Sequence, residues 1–125
     1  MTMTNVGETS ELLAQIASYA SSSEGTLSLP PRAYTDRDLF ELERLRVFHR
    51  SWSCIGRADS FAAPGDYLAL EIAGEPVLVI RGKDGELRAL SNVCRHRLHP
   101  LVADGAVSTP RLTCPYHRWT YRLDG

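Results

Sequence analysis

The sequence predicts a mainly β fold: a small antiparallel β structure carrying two short loops at one end, preceded by one or two N-terminal helices. Three observations predict it. Helical periodicity is confined to about the first fifty residues, and period-two alternation begins after Pro64-Gly65. Two mixed cysteine–histidine arms, Cys94-Arg95-His96 and Cys114-Pro115-Tyr116-His117, then punctuate the remainder.

Residues 8–20 place Leu12, Leu13, Ile16 and Tyr19 on one side of an amphipathic helix. Ser21-Ser22-Ser23-Glu24-Gly25 ends it, and with Pro30-Pro31 makes residues 21–33 a linker. Residues 1–33 therefore read as an N-terminal arm, and residues 34–125 as a helical lead-in with the loop-bearing domain. Thr35 is the expected N-cap of a second helix, with Asp36 and Asp38 at the positive end of its dipole. Leu39, Leu42, Leu45 and Phe48 carry that helix to about His49, on a face expected to pack on the later sheet. Tyr67–Ile72, a turn at Gly74, Pro76–Arg81, the turn Gly82-Lys83-Asp84-Gly85 and Leu87–Leu90 read as three consecutive antiparallel strands. A returning strand is expected over Arg118–Arg122. Leu123-Asp124-Gly125 is itself a turn signal, so the fold is expected to be cut short before the strand that such a turn introduces.

A length of 125 residues with 43% hydrophobic composition permits one compact domain with a modest core. The net charge of −1, with both signs mixed along the chain, argues against nucleic acid as a partner. No run of eighteen apolar residues and no basic-then-apolar N-terminus is present, so neither a membrane span nor export is expected, and the expected location is cytoplasmic. Cys54 has no partner once the two arm cysteines are set aside, which fits a reducing compartment. In Trp52-Ser53-Cys54-Ile55-Gly56 it reads as a small buried hydrophobe.

Each arm offers one thiolate and one imidazole, with seventeen residues between His96 and Cys114. A two-iron, two-sulfide cluster with histidine ligands needs that donor set: two thiolates on one iron, two imidazoles on the other. Imidazole is neutral where thiolate is negative, so the histidine-bound iron is the easier one to reduce. A four-coordinate zinc site is the competing reading. Zinc patterns group cysteines in one arm and histidines in the other, so the mixed arms favour iron–sulfur. The candidate cofactor and metal ligands are Cys94, His96, Cys114 and His117. His49 reads as a helix-end group and His99 as a loop residue after a completed pair; no catalytic residue is read from this stretch.

At these residues the chain resembles the Rieske domain of the non-haem iron oxygenases that hydroxylate aromatic rings or demethylate amines. Cys94-Arg95-His96-Arg97 and Cys114-Pro115-Tyr116-His117-Arg118-Trp119 look like the two cluster boxes. Leu98 and Arg118 stand where that family commonly has glycine. Pro30-Pro31-Arg32-Ala33-Tyr34, the Leu39–Trp52 run, Pro64-Gly65-Asp66-Tyr67 and Glu75-Pro76-Val77 extend the resemblance over about residues 27–125, towards oxygenase large subunits more than free-standing ferredoxins. Respiratory Rieske proteins carry an extra cysteine in each loop, and Cys54, forty residues before Cys94, supplies no such pair.

The resemblance implies a [2Fe-2S] cluster that takes electrons from an NAD(P)H-dependent reductase or a ferredoxin. It passes them to a mononuclear Fe(II) that activates dioxygen in a mono- or dioxygenase. That second iron wants two histidines and a carboxylate. With only His49 and His99 left over, it is expected in an oxygenase catalytic domain outside this stretch, which by itself is expected to be non-catalytic. The resemblance also implies a homo-oligomer. A stand-alone Rieske ferredoxin and a zinc-stabilised interaction module are the alternatives. Arg95, Arg97 and Arg118 read either as solvated loop charge or as a site for carboxylates of a neighbouring domain or an electron donor. Trp119 is expected to pack behind the second arm, with a subunit contact as the alternative, Tyr116 to bond a cluster sulfur, and Pro100 and Leu101 to shape and cover the first loop.

Overall fold

The structure is a computed structural model and describes residues 6–21 and 28–125; the middle of the expected linker, residues 22–27, lies outside the described residues. The chain divides into two compact units, residues 1–52 and 53–125.

In the first unit, helix α1 spans Val6–Ala20 and buries Leu12. Pro31–Tyr34 forms a short 3-10 turn, and Arg32 reaches both Glu8, at 3.1 Å, and Asp36, at 3.0 Å. Helix α2 spans Arg37–Arg46, and its N-cap is Asp36 rather than Thr35. The reason is local. The 3-10 turn takes up Thr35, whose N–H donates to the Arg32 carbonyl at 3.1 Å, while the Asp36 carboxylate accepts from the Leu39 N–H at 2.9 Å. That bond, with the Arg32 guanidinium beside it, holds the Asp36 carboxyl below the usual carboxylate range. The helix stops short of His49, and Phe48–Arg50 tightens into a second 3-10 turn. Leu39 is the buried member of the apolar stripe; Leu45 and Phe48 stay about half exposed.

In the second unit the three expected strands are present as β1 (Asp66–Ile72), β2 (Glu75–Arg81) and β3 (Leu87–Ser91). A fourth, β4 (Gly105–Ser108), was not legible, and joins β1 to give the antiparallel order β3-β2-β1-β4. Strands β5 (Leu112–Thr113) and β6 (Thr120–Tyr121) form a separate pair, so the returning strand expected over Arg118–Arg122 shrinks to two residues. Ala73 and Gly74 close the first hairpin, both at positive φ, +50° and +85°. Gly65 sits at φ +96° where β1 meets β4, and a Cβ there would collide with the Thr109 carbonyl.

Registers Tyr67↔Ile80 and Ala69↔Leu78 line up one face, which packs on Leu112 and Leu123 to form the core. Leu78, Ile80 and Leu112 are fully buried and contribute roughly 1.5–3 kcal/mol each. A second cluster, Cys94, Leu101 and Cys114, adjoins it, and Tyr121 packs against both. Leu101 thus covers the first loop as expected. Among the described residues no helix is long and apolar enough to cross a membrane.

Candidate metal centre

Both arms lie on tight six-residue loops built the same way. In the first, the Cys94 N–H donates to the His99 carbonyl at 2.8 Å and the Leu98 N–H to the Cys94 carbonyl at 2.9 Å. In the second, the Cys114 N–H donates to the Trp119 carbonyl at 2.8 Å and the Arg118 N–H to the Cys114 carbonyl at 3.0 Å. Closing each loop takes one left-handed residue, and these are Leu98 at φ +56° and Arg118 at φ +64°. The two positions where the sequence departs from glycine are therefore the two where the backbone favours it.

The frame sorts the four candidate ligands into two pairs. Cys94 and Cys114 are each 1% exposed, at the floor of the site. His96 and His117 are exposed at the loop tips, with ring centroids 4.8 Å apart in an edge-on arrangement. Among the described residues no three His, Cys, Asp or Glu side chains gather as a single-ion site would require. Two thiols behind two imidazoles suit a two-metal unit with two protein ligands per metal, and the donor set fits a [2Fe-2S] cluster of the histidine-ligated kind.

Three residues around the ligands differ from expectation or were not foreseen. Trp119 does not pack behind its own arm. Its ring stacks on His96 of the other loop, centroids 4.9 Å apart and planes within 4°, and remains 49% exposed. Tyr116 lies against His117 of its own loop at 3.9 Å and near His99 of the other at 5.7 Å, so rings from both loops meet across the tip. The phenol beside sulfur is that of Tyr121, whose hydroxyl is 3.2 Å from Cys94 Sγ and accepts from the Arg95 N–H at 3.1 Å. That hydroxyl is the main reason the Cys94 thiol is pulled below its ordinary pKa, with help from the His96 N–H and the Cys114 thiol and against desolvation. The same contact pushes the Tyr121 phenol up.

Asn92 is the other residue that pattern reading missed. It is 3% exposed; its Oδ1 accepts from the Leu101 and Val102 N–H groups at 3.1 Å, and its Nδ2 donates to the Val102 carbonyl at 2.9 Å. One amide thus fastens both ends of the first loop. A lone asparagine two residues before a cysteine gives no periodic signal, whereas Tyr121 was findable as an aromatic residue on the expected returning strand. His99 turns its Nδ1 to the Pro100 carbonyl at 2.7 Å. Cys54, expected to be buried, is exposed: Trp52–Cys54 belong to no strand or helix that covers them.

The chain is 43% identical to the carnitine monooxygenase oxygenase subunit of Escherichia coli (strain K12) over 98 residues, 78% of this chain and 26% of that protein. It is also 43% identical to the glycine betaine monooxygenase oxygenase subunit of Pseudomonas aeruginosa over 104 residues, 83% of this chain and 24% of that protein. The crystal structure of naphthalene 1,2-dioxygenase from Rhodococcus sp. bound to indole superposes on 99% of this chain and 27% of its own, with a TM-score of 0.82 and 27% identity. The chain spans about a quarter of the length of the relatives it matches. Residues 51–125 match the family described as the Rieske [2Fe-2S] domain. With its paired donors held on two loops of one frame, the chain belongs to the Rieske [2Fe-2S] domain family.

Proposed function

We propose that Cys94 and Cys114 hold one iron of the [2Fe-2S] cluster and His96 and His117 the other, and that this segment is the electron-transfer part of a Rieske non-haem iron oxygenase. The observation that carries this reading is the separation of a buried thiol pair from an exposed imidazole pair on two matched loops. A bound cluster supplies one-electron transfer. Burial keeps water from the sulfurs, the Tyr121 hydroxyl stabilises negative charge on Cys94, and exposure of His96 and His117 puts imidazole edges where a redox partner reaches them.

The whole protein, on this reading, is a cytoplasmic homo-oligomeric mono- or dioxygenase fed by an NAD(P)H-dependent reductase or a ferredoxin. Its dioxygen-activating iron sits in a catalytic domain beyond the segment described. Relatives named for carnitine and for glycine betaine share the same 43% identity with the chain. That supports assigning this segment the electron delivery common to them, and substrate choice to the rest of the protein.

Iron and acid-labile sulfide analysis, with electron paramagnetic resonance of the reduced protein, tests the assignment. The expected result is about two irons and two sulfides per chain with a rhombic signal, lost in His96→Ala and in His117→Ala. One zinc and no sulfide overturns it.

A further inference from the structure

Cys94 and Cys114 are neighbours as well as members of one site. With Leu101 they form a single buried cluster against which Tyr121 packs, and each is 1% exposed. The Cys114 thiol lies within hydrogen-bonding reach of the Cys94 sulfur. Burial decides what either sulfur can meet. A thiol on another molecule has no way in, so the thiol within reach of each is the other of the pair. Cys54 is the opposite case, exposed on a stretch that belongs to no strand or helix and lying outside this cluster.

Two such thiols join in a disulfide once their Cα atoms come within about 4.4–6.8 Å. Loop one is the side free to adjust, because it has no strand partner after Cys94, whereas loop two is pinned by the pairing of Leu112–Thr113 with Thr120–Tyr121.

We propose that Cys94 and Cys114 are a redox-active pair, joined by a peroxide into a disulfide when they do not hold metal, and that this bond is a reversible cap on the site. The bond itself stands on the placement of the two thiols; that a bound cluster prevents it rests on the ligand assignment made above. Hydrogen peroxide takes two electrons from the pair. The Tyr121 hydroxyl, 3.2 Å from Cys94 Sγ, stabilises negative charge there, so Cys94 is the sulfur that attacks. The O–O bond breaks, one water leaves, and Cys94 carries a sulfenic acid. The Cys114 sulfur then attacks Cys94; its proton departs with the sulfenic hydroxyl as a second water, and the S–S bond forms. A dithiol reverses the change, returning two electrons and two protons and becoming a disulfide itself. The neighbour at hand keeps the first sulfur from passing on to sulfinic acid, which thiols do not reduce.

The test uses the whole protein, stripped of iron under reducing conditions, freed of reductant, treated with hydrogen peroxide and digested with trypsin without reduction. A linked species of residues 89–95 and 112–118, two hydrogens lighter than their sum, is expected at about tenfold or more over any linked species containing residues 51–57, which carry Cys54. In a disordered chain the shorter span, 94 to 114 against 54 to 94, favours the first link only about threefold. The urea midpoint of the oxidised, iron-free protein is expected above that of the reduced one, as for a cross-link that fits the fold. Dithiothreitol is expected to remove the link and let iron and sulfide rebuild the rhombic signal, which the oxidised protein does not regain. No link, a link shared comparably with Cys54, or a link that lowers the midpoint overturns the proposal. Where stripping the iron unfolds the protein, peroxide is added stepwise to the loaded protein instead: the link is expected to grow in proportion to the acid-labile sulfide lost, and sulfide loss with no link overturns the proposal. A link formed in protein that keeps its full acid-labile sulfide contradicts the assignment of the two cysteines as ligands, a separate outcome.

Discussion

The loop regions 91–100 and 111–120 repeat one another position by position in burial: residues one and three before each left-handed bend's opening cysteine included, the buried, half-buried and exposed positions coincide. Each is closed by the same two backbone hydrogen bonds and one left-handed residue. What differs is the brace and the ligand offset. Loop two is held by the pairing of β5 with β6, Leu112↔Tyr121 and Thr113↔Thr120. Loop one has no strand partner after Cys94, and the Asn92 amide stands in, at the position equivalent to Leu112. The imidazole follows its cysteine by two residues in loop one and by three in loop two. A shared frame with different offsets lets the rings meet edge-on at 4.8 Å while both thiols stay beneath.

The offset is the feature to break first, because the frame leaves little freedom to correct a misplaced ring. H96R/R97H gives loop one the offset of loop two while conserving composition and charge. Iron and sulfide content and the rhombic signal are expected to fall close to zero with the far-ultraviolet circular dichroism spectrum unchanged. A cluster that survives the exchange shows that the loops do not dictate where the ring must start.

The brace comes next. N92L copies the apolar residue of loop two into loop one. It leaves the buried Leu101 N–H and the half-buried Val102 N–H and carbonyl without their side-chain partner. A loss of roughly 2–4 kcal/mol in unfolding free energy is expected, from about 1–3 kcal/mol for each buried group left unsatisfied and partial rescue by water. Urea titration measures it, and cluster content should drop with it. If N92L is neutral, the amide is dispensable and the first loop is held by its own backbone bonds.

How far such differences are legible in the sequence depends on whether they leave a periodic trace. Strands β1 to β3 alternate and are punctuated by Gly74 and Gly82–Gly85, so their bounds follow from pattern alone to within a residue. Strand β4 is four exposed residues at a sheet edge, with no alternation to read. Residue type and spacing picked out the four candidate donors, since thiolate–imidazole chemistry is local to each arm. They were silent about Asn92, whose role exists only once residues ten apart in the chain are side by side. Trp119 was misplaced for the same reason: its ring partner, His96, lies on the other loop.

The smallest expected effect sharpens the comparison most, because it measures the two frames with one ruler. Leu98 and Arg118 hold equivalent left-handed positions, and both side chains point away from the buried core. Glycine removes the clash of Cβ with the following carbonyl, which costs about 1–2 kcal/mol for an ordinary residue. It also adds backbone freedom to the unfolded chain, which returns roughly 0.5–1 kcal/mol of that gain. L98G and R118G should therefore each stabilise by about 0.5–1 kcal/mol, whereas L98A and R118A, which keep the Cβ, should not. The midpoint of urea unfolding at matched cluster content reads all four. Equal gains at the two sites mean the loops are one structural solution used twice. A gain at Arg118 alone would mean that the sheet-braced loop is rigid enough to retain strain, while the loop held by Asn92 relaxes it.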